Sequence, residues 1–90
     1  MKEDYLKLNV HGKKCLRSFL YAISANDILT SEIDYLLNKE LIDYSMNYPD
    51  FKDRENASYY CLSNIGYHTA AHYFPKFRNW NVQLNPNNHE

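Results

Sequence analysis

The sequence predicts a single α+β domain in which helices pack around a two- or three-stranded antiparallel sheet. Three observations lead there. From Thr30 to Leu41 apolar residues recur every three or four positions; at Leu41-Ile42 the period drops to two, and at Leu62-Ser63 it returns to the helical value. Pro49 separates two alternating stretches and cannot extend a ladder, so a hairpin is expected around it. The chain has 90 residues, 44% of them apolar, which suits one modest core and argues against wholesale disorder. The expected domain covers residues 1–84, with 85–90 (NPNNHE) a loose, disordered tail.

Leu6, Leu8 and Val10 alternate with Lys7, Asn9 and His11, a signal for a short strand or an extended arm that Gly12 ends. Lys13 to Ser24 reads as a helix whose apolar face holds Cys15, Leu16, Phe19, Leu20 and Ile23. Ser24-Ala25-Asn26-Asp27 breaks it, because these side chains compete for backbone bonds. Thr30 or Ser31 is the expected cap of the next helix, with Leu29, Ile33, Leu36, Leu37 and Leu41 buried and Glu32, Asp34, Asn38, Lys39 and Glu40 mostly outward. The two strands are expected at about 42–48 and 57–62, around a charged loop from Asp50 to Asn56. Ser63 caps a last helix that packs through Gly66, Thr69, Ala70, Tyr73 and Phe74, and Pro75 marks its end. Gly66 stands where that helix can approach another backbone. Phe77, Trp80, Val82 and Leu84 then form an apolar row in a strand or arm.

Composition narrows the function. The net charge of −1 lacks the basic excess that phosphate contacts usually require, so any nucleic-acid role must rest on local charge. Cys15 and Cys61 stand in no metal or redox spacing and read as small core residues of a reducing compartment. No window approaches a membrane span and the start lacks a signal-peptide run, so a cytoplasmic protein with no membrane partner is expected. With two glycines there is no phosphate-cradling loop, and no nucleophile-base set stands out; no catalytic residue and no cofactor is assigned. His68 and His72 share a helix face but lack a third ligand nearby, so no metal site is assigned either.

Two phrases resemble the winged-helix family. LLNKELIDYS is similar to the end of its third helix entering the first wing strand. YYCLSNIGYHTAAHYF is similar to the second wing strand running into a closing helix. A full winged helix has three helices before the wing; here Asn26–Leu29 is either a vestigial middle helix or a turn. The resemblance implies a DNA-binding transcriptional regulator with contacts at Lys13, Lys14, Arg17, Lys52 and Arg54. The charge count points to an alternative, a protein-protein interaction module on the same scaffold. Residues 30–44 hold Glu32, Asp34, Glu40 and Asp43 against Lys39, and carboxylates facing phosphates are repelled. The positive charge gathers instead at Lys2, Lys7, Lys13, Lys14 and Arg17, with Lys76 and Arg78 near the other end.

The apolar row Phe77, Trp80, Val82 and Leu84 is expected either to cap the core or to form an interface, and the tyrosine excess (nine Tyr) splits the same way, with most rings expected to line the small sheet and core. A homodimer formed by the first helix, the last helix or the tail is the expected assembly.

Overall fold

The computed structural model describes residues 4–45, 59–77 and 82–84. Helix α1 spans Val10–Tyr21, three residues earlier than the apolar periodicity suggested. The reason is Asn9, whose Oδ1 accepts from the Gly12 amide at 2.8 Å and so caps the helix. Val10 therefore opens a helix instead of closing a strand, and Gly12, expected to end the arm, is buried in the first helical turn. The arm before it is neither helix nor strand, with a bend at Tyr5, and has no strand partner among the described residues. It is fastened to the last helix by two amides: Leu6 donates to Thr69 Oγ1 at 2.9 Å and Leu8 to the Tyr73 hydroxyl at 3.0 Å.

α1 stops at Tyr21: the Ala22 amide still donates to the Phe19 carbonyl, but the two amides after it are taken by a side chain. Asp27 Oδ2 accepts from Ile23 and Ser24, and Ser24 Oγ accepts from Asn26. These bonds close a single turn of 3₁₀ helix at Ala25–Asp27, which overlaps the Asn26–Leu29 link at Asn26 and Asp27. Ile23, expected on the buried face, is 90% exposed as a result.

Helix α2 spans Thr30–Asn38. Neither Thr30 nor Ser31 caps it. Glu32 reaches back instead: its Oε1 accepts from the Leu29 amide at 3.1 Å, and Ser18 Oγ on α1 donates to its Oε2 at 3.5 Å. The carboxylate is thus drawn between the helices, and Glu32, expected to face outward, is only 7% exposed. Leu29, expected in the buried stripe, is 64% exposed because it precedes the first turn. The helix ends before Leu41 in a Schellman arrangement. The Leu41 amide donates to the Leu36 carbonyl and the Glu40 amide to that of Leu37, with Glu40 at a φ of 62°.

Strands β1 (Ile42–Ser45) and β2 (Tyr59–Leu62) pair antiparallel, with Ile42 opposite Leu62 and Tyr44 opposite Tyr60. The predicted extension of the first strand to Tyr48, its end at Pro49, the loop 50–56, the start of the second strand at 57–58 and the tail 85–90 lie outside the described residues. A third strand, β3 (Gln83–Leu84), pairs antiparallel with β2 through Tyr60 and Leu84, so the sheet order is β1-β2-β3.

Helix α3 spans Asn64–Tyr73 and starts as predicted: Ser63 Oγ accepts from the Gly66 amide at 3.0 Å. Phe74, with an extended φ of −131°, ends it just before Pro75. The core joins Leu16, Phe19 and Leu20 of α1 to Leu36 of α2, to Leu41 and Ile42 at the start of β1, and to Ala70 of α3. Each large apolar side chain fully buried there contributes roughly 1.5–3 kcal/mol. Thr69 is buried among them without an orphaned group, since its hydroxyl accepts from Leu6 and donates to the Ile65 carbonyl at 2.6 Å.

Candidate binding face

α1 has two flanks. Cys15 and Ser18 turn toward α2, where His11 meets the Tyr35 ring edge to face at 5.0 Å and lies 3.6 Å from Cys15 Sγ. Burial pushes the Cys15 thiol upward, and the nearby Glu32 carboxylate adds to it. Tyr35 is raised as well, first by burial and then by Cys15. This flank is closed.

The other flank is open. Lys13, Lys14 and Arg17 are exposed along it. Lys13 Nζ stands 5.0 Å from the centre of the Tyr73 ring, and Arg17 Cζ stands 5.2 Å from that of Tyr21. Tyr21 in turn meets Phe77 edge to face, with centroids 4.8 Å apart and planes at 67°. Together with Phe74, Pro75 and Lys76 these rings line a pocket of about 260 Å³ between the end of α1 and the end of α3. Tyr21 is 55% exposed, a large ring area at its mouth. The Tyr73 ring is steadied from the far side by Tyr5, whose own ring stacks on His72 with centroids 3.7 Å apart.

Of the residues picked from sequence, Lys14 is exposed on α1, and Lys13, Arg17 and Phe77 meet on this face. Val82 and Leu84 do not. They are 5% and 2% exposed and pack inside the core, so their assignment to an interface is corrected. The alternation that marked them reflects the pairing of β3 with β2, which turns both inward. A dimer built on this row therefore loses two of its apolar members, leaving α1 and α3 as candidate surfaces. Lys52, Arg54 and Trp80 lie outside the described residues. Tyr21, Tyr73 and Phe74 were not singled out for this site in the sequence, although the run Tyr73-Phe74-Pro75-Lys76-Phe77 hinted at an aromatic corner beyond a helix end.

The opposite polarity gathers on α2 and the residues after it. Asp34, Glu40 and Asp43 are exposed there, while Lys39 lies over the Tyr35 ring. His68 and His72 are engaged with Tyr67 and Tyr5, and among the described residues no three His, Cys, Asp or Glu side chains converge as a metal site would require. Among the described residues, no helix is long and apolar enough to cross a membrane. Both cysteines are free thiols.

No family model, curated protein or solved structure matches this chain.

Proposed function

We propose that this chain is a small non-enzymatic binding module with a winged-helix-like order, and that what it binds through the open flank of α1 is another protein. The winged-helix likeness is supported by the succession of α1, a 3₁₀ turn, α2, a hairpin and a helix entered through Ser63-Asn64-Ile65-Gly66. One observation carries the choice of partner. The helix before the hairpin, which would enter the major groove, exposes Asp34, with Glu40 and Asp43 just beyond it, while the aromatic pocket and the cations lie on α1 and α3. Carboxylates at the groove oppose duplex binding, whereas tyrosine, phenylalanine and arginine around a pocket are the residues that anchor protein interfaces.

A second reading keeps duplex DNA as the ligand and rests on the exposed row Lys13, Lys14 and Arg17. Fluorescence anisotropy with a labelled duplex at about 20 mM and about 200 mM salt separates the two, because phosphate contacts weaken steeply with salt. The protein-binding module is expected to leave the duplex free even at the lower concentration. Saturable binding that collapses at the higher one, and that is lost on K14Q/R17Q, would establish the DNA reading instead.

A further inference from the structure

We infer that the pocket between Tyr21, Tyr73 and Phe77 receives one apolar or aromatic side chain from an acidic segment of a partner protein. The inference rests on the protein-binding reading above and names the chemistry of the partner. Size comes first. A pocket of about 260 Å³ is smaller than the roughly 300–1,000 Å³ of small-molecule sites, so it suits one large side chain better than a cofactor.

Charge comes second. Among the described residues, three cations stand by the apolar floor: Lys13 against the Tyr73 ring, Arg17 against the Tyr21 ring and Lys76 in the lining itself. Among the described residues, no carboxylate lines the pocket. Contact with the rings restrains Lys13 and Arg17, so less side-chain freedom is lost when they meet a carboxylate. An anchor residue flanked by Asp or Glu matches this arrangement in both shape and sign.

Ring geometry argues against a single-stranded nucleic acid. Bases need uncovered ring faces on which to stack. Here Tyr21 and Tyr73 each carry a cation over the face, and Tyr21 and Phe77 meet at 67° instead of lying parallel. The acidic surface at Asp34, Glu40 and Asp43 would further repel a long polyanion.

The test is a titration of the isotopically labelled full chain, followed by NMR, with three acetylated and amidated pentapeptides. These are Glu-Glu-Trp-Glu-Glu, Glu-Glu-Ala-Glu-Glu and Lys-Lys-Trp-Lys-Lys. The first should move the signals of Tyr21, Tyr73, Phe74 and Phe77 with a dissociation constant on the order of 1 mM, as befits a single anchor. Each of the other two should bind at least about fivefold more weakly, one lacking the anchor and the other the charge. K13Q/R17Q should weaken the first peptide by a similar factor. K76Q, an exposed substitution beyond the end of α3, provides the same readout if the double variant fails to fold.

The inference is overturned by equal binding of the lysine peptide, by unchanged binding to K76Q, or by no shift at these rings up to about 5 mM peptide, well above the expected constant. Shifts of the same rings on raising protein concentration alone would overturn it in favour of a second copy of the chain. A parallel titration with a duplex separates this failure from that of the underlying reading. DNA shifting the Lys13-Arg17 face removes the protein-binding reading itself, whereas silence with both DNA and peptide removes only the acidic anchor.

Discussion

The two helices that flank the pocket begin in the same way and differ in what they meet. α1 starts Asn9-Val10-His11-Gly12 and α3 starts Ser63-Asn64-Ile65-Gly66. In each the cap side chain accepts from the amide of a glycine in the first turn, at 2.8 Å and 3.0 Å. A methyl group built on Gly12 would stand 2.5 Å from the Tyr35 hydroxyl, a side-chain tip. On Gly66 it would stand 1.9 Å from the Leu41 carbonyl oxygen, a backbone atom. That oxygen already accepts from the Ser63 amide at 2.9 Å, and Ser63 Oγ donates to the neighbouring Glu40 carbonyl at 2.6 Å. One local pattern thus serves two purposes. At α1 it begins a helix beside an adjustable neighbour, and at α3 it also sews that helix to the end of α2.

The sharpest way to break this parallel is Gly66→Ala. Because the two nearest atoms are backbone atoms of Leu41, which cannot swing aside as a side-chain tip can, the variant should lose roughly 3 kcal/mol, the upper part of the overpacking range. Urea unfolding measures it, and a loss under about 1 kcal/mol would mean that the α2–α3 joint can slide.

Next is the helix start that follows neither pattern. α2 has no cap side chain at Leu29 and depends on Glu32. Glu32→Ala should cost about 1–2 kcal/mol, since it frees the Leu29 amide and removes the partner of Ser18. Glu32→Gln, which keeps an acceptor, should lose less; equal losses would make the carboxylate's charge the important property.

Gly12→Ala should be mild. Replacing glycine in a helix gains up to about 1 kcal/mol, which offsets the displacement of the Tyr35 hydroxyl. The informative comparison is the same change in a Tyr35→Phe background, where the blocking oxygen is gone. There it should be better tolerated, with the Leu8 side chain at 3.1 and 3.2 Å left to give way, and an absence of coupling in the double-mutant cycle would make Leu8 the neighbour that matters.

The smallest expected effect is on pH dependence. Tyr35 and Cys15 are both raised in the fold, so the folded state holds their protons more tightly than the unfolded chain does. Their contribution is complete below the unfolded values, about 8.5 for Cys and 10 for Tyr, and is lost as pH climbs through the higher folded ones. Stability measured from pH 8 to 11 should fall, and Tyr35→Phe should flatten the upper part of that fall. An identical slope in the variant would place the alkaline loss elsewhere.

Much of the fold was legible because its joints are changes of period. Ile42 begins a strand and Leu62 ends one where the alternation says so, and Ser63 and Pro75 bracket α3 by their own backbone chemistry. What was hidden depended on competing bonds. Asn9 recruits Val10 and Gly12 into a helix, and Asp27 takes the amides that would have continued α1 through Ile23. Glu32 looks like a surface residue until its carboxylate is needed at Leu29. The cations of the candidate face could be read directly from the sequence. Its pocket could not, because Tyr21 and Phe77 are far apart in the chain and meet only when α1 packs beside α3.

The arm ahead of α1 has a consequence for exchange with solvent. Its two backbone fastenings join residues 63 and 65 positions apart, and both acceptors are side-chain hydroxyls of α3. The arm can therefore lift without breaking a single helical backbone bond, a small opening of the kind that precedes global unfolding. The Leu6 and Leu8 amides are natural clocks for that motion. In deuterium they should exchange sooner than the amides of Leu16 and Phe19, and the lag between the two pairs would time how often the support behind the Tyr73 ring comes away.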